Sequence, residues 1–230
     1  MLALVIGFFG PLLTGVVGWR IYPAHFAERH GLIVIIAIGE SLGAIGFGAR
    51  STPLDARVIV AAVLGFFAAA SFWLAYFDFA SGGVRDMLAK RTGTERIAFA
   101  RDAYTYAHLP MVAGIILFAF GVRTTIGHVD AQLRPIPALA LCCGPALYLL
   151  GFVALRWRAS RRLGQGRPIA AVGFALLTAA ATHVPALAAL ALVTVAWGAL
   201  HAYELIGWRE ERARRRTELA PEPGLVDTNT

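Results

Sequence analysis

The sequence predicts an all-α membrane protein, a polytopic transmembrane helical bundle of about seven spans. Of its 230 residues, 58% are hydrophobic and only 15% are charged, whereas globular domains usually carry about 25% charged residues. The charged residues also gather between long apolar blocks, each near the roughly 20 residues that a helix needs to cross a bilayer. These two observations predict a multi-pass protein of the cell membrane.

Seven apolar stretches are candidate spans. The first contains Pro11, where a kink is expected, and the last two meet at Pro185 with almost no loop between them. Together they predict a transmembrane domain over residues 1–207 and a basic tail over 208–230 whose end is disordered. The predicted spans are 2–19, 31–49, 57–79, 103–122, 136–156, 168–184 and 186–206.

The basic residues orient this bundle. With seven spans, 17 of the 21 Lys and Arg residues fall on one side of the membrane, in segments 20–30, 80–102 and 156–167 and in the tail. Cytoplasmic loops carry such an excess, so the N-terminus is expected outside and the C-terminus in the cytoplasm. The same bias accounts for the net charge of +7, and no nucleic-acid partner is predicted.

Glu40 is the residue that is hardest to place in a membrane. It follows Gly31 by nine residues, which puts it about 14 Å into a hydrocarbon core about 30 Å thick. A carboxylate there needs a partner, a proton or a role, and Gly39, Gly43 and Gly46 would let a neighbouring helix approach. Three interpretations stay open: a residue that fastens helices together, one that handles ions or protons, and one that binds another polar ligand.

Two polar groups border the spans on the predicted cytoplasmic side. His25, Glu28 and Arg29 precede the span that holds Glu40, and they form either a solvated helix cap or part of a polar entrance. In the second group, Asp102 is a candidate N-cap. Tyr104 and His108 share a helix face at a spacing of four residues, and His201 and Glu204 at a spacing of three. These candidates all lie in the cytoplasmic half or near the midplane, together with Asp78 at the end of its span: Asp78, Asp102, Tyr104, His108, His201 and Glu204.

This one-sided distribution favours a cavity that opens to the cytoplasm, although a bundle could also hold the same groups in scattered pairs. His108 lies about 9 Å inside its span and is read equally as a packing residue or a functional one. The two His-x-x-Glu pairs are too short and common to predict a metal site, and Cys142 and Cys143 are predicted to be packing residues. No nucleotide, cofactor or hydrolase motif is found in the sequence, so neither a cofactor nor an enzyme is predicted.

Three motifs resemble a known family. HFAERHGLIVIIAIGES, SFWLAYFDFA and RDAYTYAHLP, in this order, resemble the bacterial low temperature requirement A (LtrA) membrane proteins over residues 20–206. The resemblance implies a helical protein of the bacterial inner membrane, linked by name to growth at low temperature, with no settled biochemical activity. By position, the family's recurrent polar residues fall on His25, Glu28, Arg29, Glu40, Asp78, Asp102, Tyr104 and His108.

The family also implies a missing part. Its members are typically longer, with an earlier half that has its own acidic and aromatic motif, so this chain resembles their C-terminal portion. The predicted function is a transporter or channel-like protein with an ionisable path, lined by Glu40 and His108 and open to the cytoplasm. The alternative is a non-transporting membrane scaffold or sensor in cold adaptation. The expected partners are the lipid bilayer and either a second copy or the missing N-terminal half; the ion or solute is left open.

Overall fold

The structure, a computed structural model, describes residues 22–50, 52–77 and 87–218, with side chains as far as Gly207. Regular structure in these ranges is helical apart from one isolated bridge between Gln132 and Pro185. Five of the described helical segments are long and apolar enough to cross a membrane. The predicted all-α class is therefore confirmed for the described residues. The count of seven spans and their orientation stay predictions, and the predicted first span over 2–19 lies outside the described residues.

The main helices are numbered in chain order. A π-helical turn, in which the backbone is wound more widely than in an α-helix, lies between the third and the fourth. The elements are α1 Pro23–Ala49, α2 Ala56–Phe77, α3 Gly93–Ala100, the π-helical turn Arg101–Tyr106, α4 His108–Gly127, α5 Pro135–Ser160, α6 Gly166–Ala181 and α7 Ala186–Glu218.

Several helix bounds differ from the predicted spans. Helix α1 begins at Pro23 rather than at residue 31, because proline suits the first turn of a helix, where its missing N–H costs no hydrogen bond. Helix α6 has 16 residues, about 24 Å, which is shorter than a bilayer core of about 30 Å. Helix α7 continues to Glu218, so the predicted tail starts as helix, and residues 219–230 lie outside the described part.

The helices alternate in direction along the bundle. The start of α1 lies against the end of α2, since a Cβ added at Gly31 would meet the Phe77 ring at 3.5 Å. The starts of α1 and α4 lie together, because the His30 and His108 rings are 5.3 Å apart. Short loops then reverse the chain into α5, α6 and α7. One end of the bundle is therefore formed by the starts of α1, α4 and α6 and by the ends of α2 and α5. Glu204 of α7 lies at the same end, which we call the basic end.

Glycines bring α4 and α5 into close contact. A Cβ added at Gly144 would lie 2.7 Å from the carbonyl oxygen of Gly114, and one added at Gly121 would lie 2.6 Å from Cα of Leu141. Gly114 and Gly121 are seven residues apart on one face of α4. Small residues let membrane helices approach in this way, so α4 and α5 pack closely against each other.

Candidate intramembrane polar site

Two histidines and two tyrosines meet inside the bundle near its basic end. His30, Tyr76, Tyr104 and His108 are called the His–Tyr cluster below. His108 is 5% exposed, and its Nε2 lies 2.9 Å from the Tyr76 hydroxyl oxygen, while its Nδ1 lies 3.0 Å from the carbonyl oxygen of Ala103. Because a carbonyl only accepts, Nδ1 carries the hydrogen in the neutral ring, and Nε2 accepts from the Tyr76 hydroxyl.

The π-helical turn produces this arrangement. Its wider winding lets the backbone N–H of Ala107 donate to the carbonyl of Asp102 at 3.1 Å, one residue further back than an α-helix allows. The carbonyl of Ala103 is then available to the His108 side chain. The turn also places the Tyr104 ring flat against the His108 ring, with centroids 5.3 Å apart and planes at 16°. Single π turns within α-helices are frequent at functional sites.

His30 completes the cluster from α1. Its Nδ1 donates to the carbonyl oxygen of Phe26 at 2.9 Å, and its ring lies 5.0 Å from that of Tyr104. No hydrogen-bond partner of its Nε2 occurs among the described residues. His30 is half-buried whereas His108 is buried. His30, the more accessible histidine of the cluster, therefore has a ring nitrogen that can still accept a hydrogen bond. Both ring nitrogens of the buried His108 already have hydrogen-bond partners.

An ion pair lies in a second enclosed position at the same end. Arg167 of α6 donates from Nε to Glu204 of α7 at 2.6 Å, and its Nη2 donates to the carbonyl of Ala75 in α2 at 3.1 Å. The two side chains are only 16% and 14% exposed, and the guanidinium also lies 4.3 Å from the centre of the Phe152 ring. The pair therefore joins three helices and satisfies an acid that would otherwise be buried alone.

Aromatic side chains connect the ion pair with the His–Tyr cluster. The Phe152 ring, which lies against Arg167, is 6.1 Å from the Tyr76 ring and 5.1 Å from the Tyr148 ring. The Tyr148 hydroxyl donates to the carbonyl of Phe72 at 2.6 Å. These contacts hold both polar positions within one packed layer across the bundle.

Asp102 lies beside the cluster at the basic end. Its carboxylate accepts from Arg158 Nε at 2.7 Å and is 2.9 Å from the Arg101 guanidinium. Asp102 was expected to be an N-cap, but it lies inside the π-helical turn, whose N-cap is Ala100. Its role here is to tie the start of α4 to the end of α5.

Glu40 lies apart from the cluster. It is exposed on α1 and follows His30 by ten residues, a rise of about 15 Å. No hydrogen bond or ion pair of its carboxylate occurs within the described ranges. Added Cβ atoms at Gly39 and Gly43 would meet nothing within 4 Å. The structure therefore does not bring Glu40 and His108 together.

The other predicted residues divide between the interior and the surface. His201 is half-buried and stacks on Trp197, with ring centroids 5.5 Å apart. Asp78 lies outside the described residues. The interior or partnered positions are Asp102, Tyr104, His108, His201 and Glu204, and the exposed ones are His25, Glu28, Arg29 and Glu40.

Sequence reasoning did not select His30, Tyr76 or Arg167. His30 follows Phe26 by four residues, so both lie on one face of α1, and this spacing could have marked His30 rather than His25 as the inward residue. Arg167 is a lone cation at the start of an apolar helix, and such a residue requires a partner. Nothing in the sequence distinguishes Tyr76 from its aromatic neighbours.

The bundle has the character of an α-helical membrane protein, because it encloses ionisable side chains among helices that are long and apolar enough to cross a membrane. The chain belongs to the family described as bacterial low temperature requirement A protein (LtrA), whose model matches residues 1–202. The resemblance carried by the three motifs is therefore confirmed.

One curated relative is an uncharacterized protein of Rhizobium meliloti (strain 1021). It is 34% identical over 168 residues, which cover 73% of this chain and 40% of the relative. The chain thus spans less than half of the length of this relative. No solved structure matches the chain.

Proposed function

We propose that this chain forms a transporter or channel-like part of an LtrA membrane protein, in which the His–Tyr cluster handles protons or a small cation. The proposal rests on one observation, the oriented hydrogen bond from Tyr76 to His108 beside the uncommitted Nε2 of His30. Ionisable side chains inside a membrane bundle are costly, and they commonly mark ion pathways and proton relays.

The geometry suggests an order of events. A proton or hydrogen-bond donor from the basic end reaches Nε2 of half-buried His30 first. The His108 ring, 5.3 Å away between centroids, exchanges a proton only when its bond with Tyr76 breaks or reverses. In this proposal the basic end faces the cytoplasm, as the positive-inside rule predicts, and the cluster is entered from that side.

Proton flux into liposomes tests the proposal. The whole chain is reconstituted with a pH-sensitive dye inside, and His108→Gln is compared with the wild type and with His128→Gln. His128 is a matched control because it is an exposed histidine that follows the end of α4. We expect His108→Gln to lower flux at least tenfold and His128→Gln to leave it unchanged. Equal flux in all three, or no flux in any, would exclude the proposed role of the cluster.

A second candidate function is a non-transporting scaffold or sensor in cold adaptation. The open glycine face of α1 favours it, since Gly39 and Gly43 have room for another membrane helix. This function predicts that Gly43→Leu abolishes growth at low temperature while His108→Gln preserves it. The opposite pattern of growth would favour transport.

A further inference from the structure

The end of α5 and the turn that follows it have an unbalanced charge. Arg156, Arg161 and Arg162 are exposed, and none has an acidic partner among the described residues. Nearby Arg158 and Arg167, in contrast, are both paired with carboxylates. We call residues 156–165, which are the last turn of α5 and the turn that follows it, the basic loop.

Within the basic loop, the residues after Ser160 fold back on the last turn of α5. Arg161 adopts the left-handed conformation, with φ of 57°, and its guanidinium lies 5.6 Å from the centre of the Trp157 ring. The Arg156 guanidinium carbon would lie 3.4 Å from a Cβ added at Gly164. Trp157 is 45% exposed and Leu163 is 52% exposed. Cationic and apolar groups therefore share one small surface.

We propose that the basic loop binds the headgroups of anionic phospholipids. Helix α5 is long and apolar enough to cross the membrane, so the basic loop at its end lies at the bilayer surface. Guanidinium groups bind phosphate through paired hydrogen bonds, and exposed tryptophan favours the boundary between headgroups and acyl chains. Charge complementarity selects anionic lipids over zwitterionic ones.

A soluble anion fits this surface less well. Such a ligand would use the arginines alone and would leave Trp157 and Leu163 in contact with water. A phospholipid uses both, because its phosphate meets the cations while its glycerol and upper acyl chains cover the apolar side chains. A phospholipid and a soluble phosphate therefore differ in whether they contact the apolar side chains of the basic loop, and an experiment can distinguish them.

The test counts lipids bound to the whole chain in detergent micelles by native mass spectrometry. Phosphatidylglycerol and phosphatidylcholine are titrated against the wild type and against R156Q/R161Q/R162Q. The matched control is R50Q/R123Q/R134Q, which removes the same charge from exposed arginines at the other end of the bundle. We expect the loop variant to bind phosphatidylglycerol at least about tenfold more weakly, with phosphatidylcholine binding unchanged and the control variant like the wild type.

Three outcomes would overturn the proposal. They are unchanged binding in the loop variant, equal weakening in the control, and displacement of the lipid by inorganic phosphate at the lipid's own concentration. Circular dichroism checks that each variant keeps its helix content. If the triple variant does not fold, the single exposed change R162Q carries the test, with an expected weakening of about fivefold, and unchanged binding there would also overturn the proposal.

Discussion

Two carboxylates in membrane-spanning helices, Glu204 and Glu40, have opposite surroundings. Glu204 is 14% exposed and paired with Arg167, which also donates to the carbonyl of Ala75. Glu40 is exposed on α1 and has no such partner within the described ranges. Glu40 lies in the middle of an apolar stretch, whereas Glu204 lies near the end of one, next to Tyr203 and shortly before a run of charged residues. The two acids also occupy different helix faces, since Glu204 faces the bundle and Glu40 does not.

The comparison teaches where each acid can act. Glu204 is neutralised inside the bundle, and its ion pair fastens α6 to α7 and α2. A hydrogen-bond or charge partner for the Glu40 carboxyl group must come from lipid, water or another helix, since the bundle interior is on the other side of α1. Buried ion pairs are sensitive to loss of one partner, whereas exposed groups tolerate substitution.

Removal of the partner of Glu204 should have the largest effect. Arg167→Ala leaves a carboxylate that is only 14% exposed without its counter-charge, and we expect a loss of about 3 kcal/mol in the free energy of unfolding, the lower end of the range for buried pairs. Unfolding is measured by circular dichroism during titration with sodium dodecyl sulfate in mixed micelles. The double variant Arg167→Ala/Glu204→Ala should recover part of this loss, because it removes the unpaired charge.

The matched control for that experiment is the exposed pair at the other end. Arg57 and Asp130 form a salt bridge with side chains 63% and 64% exposed, and Arg57→Ala should change the free energy of unfolding by at most about 1 kcal/mol. Equal losses for Arg57→Ala and Arg167→Ala would contradict the distinction between enclosed and exposed charges.

Two glycine substitutions test the same difference between a helix face inside the bundle and an open helix face. Gly144→Ala would place Cβ 2.7 Å from the carbonyl oxygen of Gly114, so α4 and α5 must separate, at a cost of about 1–3 kcal/mol. Gly43→Ala meets nothing within 4 Å and should be neutral or slightly stabilising, because alanine favours helix. The same unfolding titration compares both. A loss for Gly43→Ala would mean that its face is already occupied.

Loss of the Tyr76 hydroxyl should have a smaller effect on stability than on transport. Tyr76→Phe removes the donor to His108 Nε2 and should lower the free energy of unfolding by about 1–2 kcal/mol, since a buried acceptor loses its partner. Phe77, the next residue along α2, has no hydroxyl, so Phe77→Leu is a control for loss of aromatic packing. We expect only Tyr76→Phe to lower proton flux in liposomes, and equal flux in both variants would exclude Tyr76 from the relay.

The sequence predicts the long apolar helices well because the length of an apolar stretch is a local property of the chain. It predicts the site only in part, because the inward face of α1 depends on its contacts with α2 and α4. The regular spacing of glycines made Glu40 look enclosed, whereas Gly31 and Gly48 of the same helix face the interior. The π-helical turn has no signature in RDAYTY, and it alone brings His108 to the carbonyl of Ala103.

Glu40→Gln should have the smallest effect of these changes on stability, and it sharpens the comparison most. The exposed side chain makes no described contact that the amide would lose, so we expect the unfolding titration of Glu40→Gln to overlay that of the wild type. In liposomes we expect Glu40→Gln to retain more than half of the wild-type proton flux, in contrast to His108→Gln, since His108 lies inside the cluster and Glu40 outside it. Flux lost to the same extent in both variants would mean that Glu40 and His108 act on one path despite their separation along α1. That result would restore the path predicted from the sequence and would require another helix over the open face of α1.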